Sequence, residues 1–180
     1  TTRLGVACAI RHVPVAGGEW QPVQDDRSIG FQVTLPARQG QVVTLDKFIA
    51  YASTLDTPDE RLVPTVLGDL ESAAAAGFER LAQEQHAYLA EFWESADILI
   101  EGDDLMQRGI RFNLFHLLQS AGRDGRTAIA AKGLSGLGYE GHFFWDTEIY
   151  VLPFFLYTRP EIATQLLEYR YHILDKARER

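Results

Sequence analysis

The first 55 residues alternate between hydrophobic and polar positions in short runs, which predicts β-strands. In the first run Val6, Cys8 and Ile10 alternate with Ala7, Ala9 and Arg11, so we expect one of these two sets on the buried face of a strand. Residues 28–35 alternate in the same way, and a third apolar run covers residues 41–53. Prolines and glycines separate the runs, which is typical of an antiparallel sheet. We expect this sheet to be part of a sandwich.

Helical periodicity replaces the alternation after residue 56. Thr57, Pro58 and Glu60 have the spacing of a capping box, which predicts a helix with Thr57 as its N-cap. Apolar residues then recur every three to four positions from residue 67 to residue 94. Pro64 argues against a helix that runs smoothly through it, because a proline in a helix interior removes a backbone hydrogen bond.

Three further helical segments are predicted in the second half of the chain. Asp103 or Asp104 is the expected N-cap of the first. Residues 146–156 are very apolar and contain Pro153, which indicates a kink or a buried short helix. Thr158 is the expected N-cap of the last. The expected apolar faces consist of Ile110, Leu114, Leu117 and Leu118 in the first helix and Ile162, Leu166, Tyr169, Ile173 and Leu174 in the last.

Strand patterns precede helical patterns along the chain, and the two kinds do not alternate. Such segregation is typical of α+β proteins or of separate domains, so we expect two domains. The sequence begins within a strand pattern and stops within a helical one. We therefore interpret it as a piece of a longer polypeptide.

The composition argues against several classes of protein. The 180 residues carry 25 acidic and 17 basic side chains, for a net charge of −8, which disfavours nucleic acid as a partner. Cys8 is the only cysteine, so no internal disulfide can form, and we expect it in the core of a strand. No apolar run reaches the roughly 20 residues of a membrane span. These features predict a cytoplasmic globular protein.

Residues 133–148 combine four glycines, a histidine and three carboxylates with several aromatic side chains. Glycine suits positions where the backbone turns sharply or approaches a ligand. Trp145 and Asp146 are the pair that a sugar requires, because an indole covers C–H surface while a carboxylate accepts hydrogen bonds from hydroxyls. We predict that both bind substrate, and His142 is a weaker candidate in the same span.

Structural alternatives remain open for these residues. Asp146 is equally suited to N-cap a helix, and Trp145 to pack in a core. Asp146 and Glu148 are two positions apart, which places them on different faces of a helix and argues against an acid/base pair. The glycines lack the Lys-Ser/Thr ending of a phosphate-binding loop, and the histidines lack metal-ligand spacing.

The segment KGLSGLGYEGHFFWDTE at residues 132–148, followed by VLPFFLY at 151–157 and LEYRYH at 167–172, closely resembles glycoside hydrolase family 65. That family contains maltose, trehalose and kojibiose phosphorylases and some acid trehalases. The segments WESADI at residues 93–98 and RFNLFH at residues 111–116 are similar to the family's lead into its catalytic barrel. The resemblance is weaker but consistent over residues 1–92.

The resemblance implies an α+β architecture that is incomplete in this chain. Residues 1–56 would be the C-terminal part of an N-terminal antiparallel β-sandwich domain, residues 57–101 a helical linker, and residues 102–180 the first helices of an (α/α)6 catalytic barrel. In the family the Trp-Asp pair holds the non-reducing glucosyl ring, which carries over to Trp145 and Asp146. The general acid and the phosphate site lie later in the barrel, so we expect both beyond Arg180.

The implied reaction is inverting phosphorolysis of an α-linked glucose disaccharide to β-glucose 1-phosphate and glucose. Inorganic phosphate is then a co-substrate, no cofactor is expected, and the full-length protein is expected to be a homodimer without nucleic acid or membrane partners. The alternatives are a trehalase-like hydrolase of the same family and a noncatalytic helical interaction fragment. We expect these 180 residues alone to be inactive and prone to associate, through exposed side chains such as Phe154, Phe155 and Leu156.

Overall fold

The structure is a computed structural model that describes residues 4–134, 138–139 and 142–179. The chain divides into two compact units, Thr1–His86 and Ala87–Arg180. The first combines strands with a helix and the second is helical, so the α+β class is confirmed.

Two small antiparallel sheets lie in the first unit. Strand β1 (Val6–His12) pairs with β4 (Lys47–Ser53), and β2 (Glu19–Gln24) pairs with β3 (Ile29–Thr34). The patterns at residues 6–11 and 28–35 are thus confirmed as strands. The third predicted strand is shorter than its apolar run, because residues 41–46 have no regular structure.

The expected burial of Cys8 in β1 is wrong, whereas Ile10 on the same face is partly buried. Val6 and Cys8 are exposed, whereas Ala7 and Ala9 are partly buried. Helix α1 (Leu62–Ala76) packs on β1 and β4 and buries Phe48 of β4. The Cys8 prediction was wrong because residues 6–9 are apolar on both faces of β1, so the alternation alone does not decide which face is buried.

Helix α1 begins without the predicted capping box. A 3-10 turn at Asp59–Arg61 precedes it, and no side chain caps either start. Pro64 falls in the first turn of α1, where its missing N–H costs nothing. The long helical pattern splits at Gly77, whose φ of 80° ends α1, and α2 (Phe78–Ala96) follows.

The second unit contains α3 (Asp104–Ser120), a π-helical turn (Thr147–Val151), α4 (Leu152–Thr158), α5 (Pro160–His172) and α6 (Leu174–Arg178). Asp103 caps α3 by accepting a hydrogen bond from the backbone N–H of Met106, as predicted (2.9 Å). The N-cap prediction for Thr158 is wrong. Its hydroxyl donates to the carbonyl of Phe154 at 2.8 Å, because Thr158 still belongs to α4.

The core of the second unit is one cluster that joins α2, α3, α4 and α5. It confirms the predicted apolar faces in part, since Leu114, Leu118, Ile162 and Leu166 are all buried. The prediction for the end of the last face is wrong, because α5 ends at His172 and Leu174 is exposed. Phe155 was expected to be exposed, but its exposed fraction is 0%, while Leu156 is 51% exposed. No helix in the described ranges is both long and apolar enough to cross a membrane. The buried residues of the cluster are Phe92, Ala96, Leu114, Leu118, Ala121, Ile129, Phe155, Ile162, Ala163 and Leu166.

Candidate functional site

A cleft of about 860 Å³ opens in the second unit, within the size range of small-molecule sites. Helix α3 forms one wall, the segment 129–134 the second, and the residues around the π-helical turn the third. Asp146 and Thr147 are the polar residues of the third wall. The described lining also includes Phe112, Asn113, His116, Leu117, Ser120, Ile129, Lys132, Tyr139, Phe144, Tyr150 and Val151.

Asp146 lies on this wall with an exposed side chain. Its backbone is helical, with φ of −54° and ψ of −33°, and its carboxylate accepts no capping hydrogen bond. The N-cap alternative therefore does not describe this residue. A carboxylate on a cleft wall without a capping role is able to accept hydrogen bonds from hydroxyl groups of a ligand.

The other two candidate residues lie outside the described lining of the cleft. Trp145 is 66% exposed and does not pack in the core, and His142 is also exposed. Neither is among the described residues that line the cleft. Gly136 and Gly141 of the glycine-rich span lie outside the described residues, so their predicted shaping role stays a prediction.

The predicted kink before Pro153 takes the form of a π-helical turn. The N–H of Leu152 donates to the carbonyl of Thr147, five residues earlier, and Pro153 follows in the first turn of α4. Thr147 is buried, with an exposed fraction of 6%. Single π-helical turns are rare and occur frequently at functional sites, where the wider turn redirects neighbouring side chains.

Arg170 of α5 binds both ends of the Asp146 segment. Its Nε and Nη2 donate to the two carboxylate oxygens of Glu148 at 2.7 and 2.9 Å. Nη2 also donates to the backbone carbonyl of Phe144 at 2.8 Å. The ion pair with Glu148 raises the pKa of Arg170. Glu148 lies in the first turn of the π-helical segment, and its carboxylate is there the partner of Arg170.

Sequence reasoning also missed the polar wall on α3. Asn113, His116 and Ser120 line the cleft from positions three and four residues apart, which is the spacing of one helix face. The His116 ring contacts Phe112 edge-on, with 4.3 Å between ring centroids. The signal was visible in the sequence as a polar stripe beside the apolar one, and it gained meaning only when the structure placed it across the cleft.

A bidentate ion pair fixes the loop before α3. Arg111 donates from Nε to the Asp97 carboxylate at 2.8 Å, with a second bond from Nη2. The side chain of Gln107 accepts from the N–H of Ile100 at 2.7 Å and donates to the carbonyl of Ile98 at 2.9 Å. Because Arg111 precedes the first cleft residue of α3, the loop contacts hold the start of that wall.

We expect the stabilisation from this ion pair to disappear in acid. Hydrogen bonds from Arg111 lower the pKa of Asp97 below its ordinary 3.8. A lowered pKa in the folded state gives stability that is present above 3.8 and is lost as the pH falls through the folded value. Asp97→Asn should therefore lower the urea midpoint at pH 7 and have a diminishing effect below pH 3.8. A difference between the two proteins that persists unchanged in strong acid would contradict this.

The loop that leads to the second wall is fixed by Asp124. Its Oδ1 accepts hydrogen bonds from the N–H groups of Arg126 and Thr127 at 2.9 and 3.1 Å. Burial raises the pKa of Asp124, but these hydrogen bonds outweigh it and the net shift is downward. A Cβ added at Gly122 would lie 2.2 Å from the carbonyl of Thr127, so only glycine fits there. His172 of α5 adds a 2.8 Å contact from Nδ1 to the carbonyl of Gly125.

Among the described residues, no group of three or more His, Cys, Asp or Glu side chains is placed to hold a metal ion. The cleft instead presents amide, imidazole, hydroxyl and carboxylate groups and the ammonium of Lys132 beside aromatic rings. That mixture suits a neutral, hydroxyl-rich ligand, because both its C–H surface and its hydroxyls find partners.

Comparison with known protein families matches both parts of the chain to domains of one family. The sequence model of the glycosyl hydrolase family 65 N-terminal domain matches residues 1–92, and that of the family's central catalytic domain matches residues 111–180. The chain belongs to glycosyl hydrolase family 65. The resemblance identified from the glycine-rich span is thereby confirmed.

Characterised members of family 65 include near relatives of this chain. It is 52% identical over 181 residues to an α,α-trehalose phosphorylase of Thermoanaerobacter brockii, covering 99% of this chain and 23% of the relative. It is 44% identical over 142 residues to a kojibiose phosphorylase of the same organism, covering 78% of this chain and 18% of that relative. The chain thus spans about a quarter or less of the length of these enzymes.

A solved structure shares the fold. It comes from the human microbiome and carries a provisional kojibiose phosphorylase name, with a TM-score of 0.75 and 30% identity. The similarity covers 97% of this chain and 23% of the solved chain. The two small sheets and the helices of this family 65 chain therefore occur together in a larger phosphorylase-like protein.

Proposed function

We propose that this chain is part of an inverting phosphorylase that cleaves an α-linked glucose disaccharide, and that Trp145 and Asp146 contribute one wall of the subsite for the non-reducing glucosyl ring. The observation that carries the proposal is the exposed Asp146 carboxylate, which lies on the wall of the cleft and makes no helix-capping hydrogen bond. The similarity to trehalose and kojibiose phosphorylases supports the reaction class.

The chemistry that follows needs a single protein acid. A carboxylic acid protonates the glycosidic oxygen while phosphate attacks the anomeric carbon from the opposite face, which inverts the configuration and yields β-glucose 1-phosphate. Phosphate is already anionic, so no second carboxylate has to activate it. The Asp146 carboxylate binds the sugar in this scheme, and the acid belongs to a part of the enzyme outside these 180 residues.

The larger architecture is part of the same proposal. We place residues 1–56 at the end of a β-sandwich domain, residues 57–101 in a helical linker and residues 102–180 at the start of an (α/α)6 barrel. Disaccharide and inorganic phosphate are the proposed partners, without a cofactor. The full-length protein is proposed to be a cytoplasmic homodimer.

Phosphate dependence is the decisive measurement. The full-length protein should cleave trehalose, kojibiose or maltose only when inorganic phosphate is present, and proton NMR should show the β anomer of glucose 1-phosphate as the first product. The isolated 180-residue chain is the matched control and should release no product. Cleavage at the same rate without phosphate would identify a hydrolase of the family instead, and absence of any cleavage of α-glucosides would favour a noncatalytic role.

A further inference from the structure

We propose that Arg170 is a positioning residue that holds Trp145 and Asp146 in their sugar-binding orientation by binding the backbone before them and the side chain after them. This inference rests on the proposed function, because the orientation matters only if the pair binds the sugar. Arg170 itself is not among the described residues that line the cleft, so it acts through its neighbours.

The geometry surrounds the Trp145–Asp146 pair on both sides. One guanidinium nitrogen of Arg170 bonds to the carbonyl of Phe144, the residue before the pair, at 2.8 Å. The guanidinium also makes a bidentate pair with Glu148, at 2.7 and 2.9 Å. A planar guanidinium in three such bonds cannot rotate without breaking at least one of them.

Burial makes these contacts effective. The side chains of Arg170 and Glu148 are only 28% and 24% exposed. In each of the other ion pairs found among the described residues, at least one side chain is 45% exposed or more. Ion pairs at exposed positions contribute little, but a partly buried bidentate pair holds its geometry firmly.

A second contact of α5 supports the same segment. The ring of Tyr169 packs edge-on against Phe143, with 5.3 Å between centroids. Helix α5 thus contacts residues 143, 144 and 148, while the Trp145 and Asp146 side chains between them remain exposed. The π-helical turn begins in this segment, so these contacts of α5 lie at its start.

Lysine at position 170 provides the direct test in the full-length protein. Arg170→Lys keeps the charge but cannot make the bidentate pair and the carbonyl bond together. We expect kcat/KM for disaccharide phosphorolysis to fall roughly 10- to 100-fold, because small displacements of a binding group have effects of that size. The matched control is Arg159→Lys, at the start of α5. Arg159 is 20% exposed and pairs with Glu91 at 2.8 Å, and neither residue lines the cleft, so the control should retain activity.

A double-mutant cycle with Asp146→Asn separates positioning from general stability. If Arg170 acts through the Trp145–Asp146 pair, Arg170→Lys should cause a smaller further loss in the Asp146→Asn background than in the wild-type enzyme. Losses that multiply, or a wild-type rate for Arg170→Lys, would overturn the positioning role. If Arg170→Lys does not fold, Glu148→Gln takes its place in the same cycle, with a loss that is likewise smaller beside Asp146→Asn than in the wild-type enzyme.

The cycle also distinguishes the two proposals from each other. A folded Asp146→Asn enzyme with wild-type kcat/KM would refute the sugar subsite itself. An impaired Asp146→Asn enzyme together with a fully active Arg170→Lys enzyme would leave the subsite intact and reject only the role of Arg170.

Discussion

Replacing Asp146 with alanine should lower kcat/KM for phosphorolysis by roughly 10²- to 10⁴-fold in the full-length protein. A hydrogen bond to a charged group contributes about 1.5–3 kcal/mol. Removing a carboxylate that accepts hydrogen bonds from two sugar hydroxyls therefore costs about twice that. At about 1.4 kcal/mol per factor of ten, the sum corresponds to this range. Steady-state rates at saturating phosphate, with the disaccharide varied, give the measurement.

Two further variants make the result specific. Asp146→Asn keeps an acceptor oxygen and nearly the same volume, so its loss should be smaller than that of Asp146→Ala. Asp175→Ala removes another carboxylate of the same unit, whose side chain is 92% exposed, and should leave the rate unchanged. An Asp146→Ala enzyme that folds and turns over at the wild-type rate would remove Asp146 from the substrate site.

Helical packing in the second unit was predictable from the sequence. Leu114 and Leu118 of α3, like Ile162 and Leu166 of α5, recur at helical spacing and are buried as expected. Periodicity succeeded because each helix has one apolar face and one polar face, so only one orientation buries the apolar side chains. Asp103 was predictable for a local reason as well, since a capping residue acts within its own turn.

Strand orientation was not predictable, because β1 offers no such asymmetry. Val6 and Cys8 on one face and Ala7 and Ala9 on the other are all apolar, and the choice depends on where α1 lies. Strand β2 was missed because Pro22 lies within it, and proline is usually a signal against a strand. In a two-stranded sheet every strand is an edge, where proline is tolerated.

The candidate site shows the same division between local and long-range information. Trp145 and Asp146 were found from residue chemistry alone, since both lie in one short span. The Arg170–Glu148 pair joins residues 22 positions apart, and nothing local in either helical segment indicates the partner. The α3 wall likewise faces Asp146 only after the chain has turned back through residues 121–134. These residues became candidates for the site only because the tertiary structure brings them to the cleft or to the Asp146 segment.

Replacing Phe155 with alanine should have the largest effect on the folding of the second unit. Phe155 is 0% exposed and lies among the buried residues of α2, α3 and α5. Truncating a buried phenylalanine typically costs about 3–5 kcal/mol, because the lost transfer free energy adds to that of the cavity left behind. Urea unfolding of the 180-residue chain is monitored by hydrogen exchange at the amides of Leu118 and Leu166. Because both residues belong to the second unit, the measurement reports on this unit alone.

The neighbouring positions provide the controls for Phe155. Phe155→Leu keeps most of the apolar volume and should cost less than about 1.5 kcal/mol. Leu156→Ala changes the next residue of α4, which is 51% exposed, and should cost less than Phe155→Ala in the same chain. A loss below about 1 kcal/mol for Phe155→Ala would mean that the cluster collapses onto the vacated space. The hydrophobic cluster would then tolerate rearrangement behind the wall that carries Asp146.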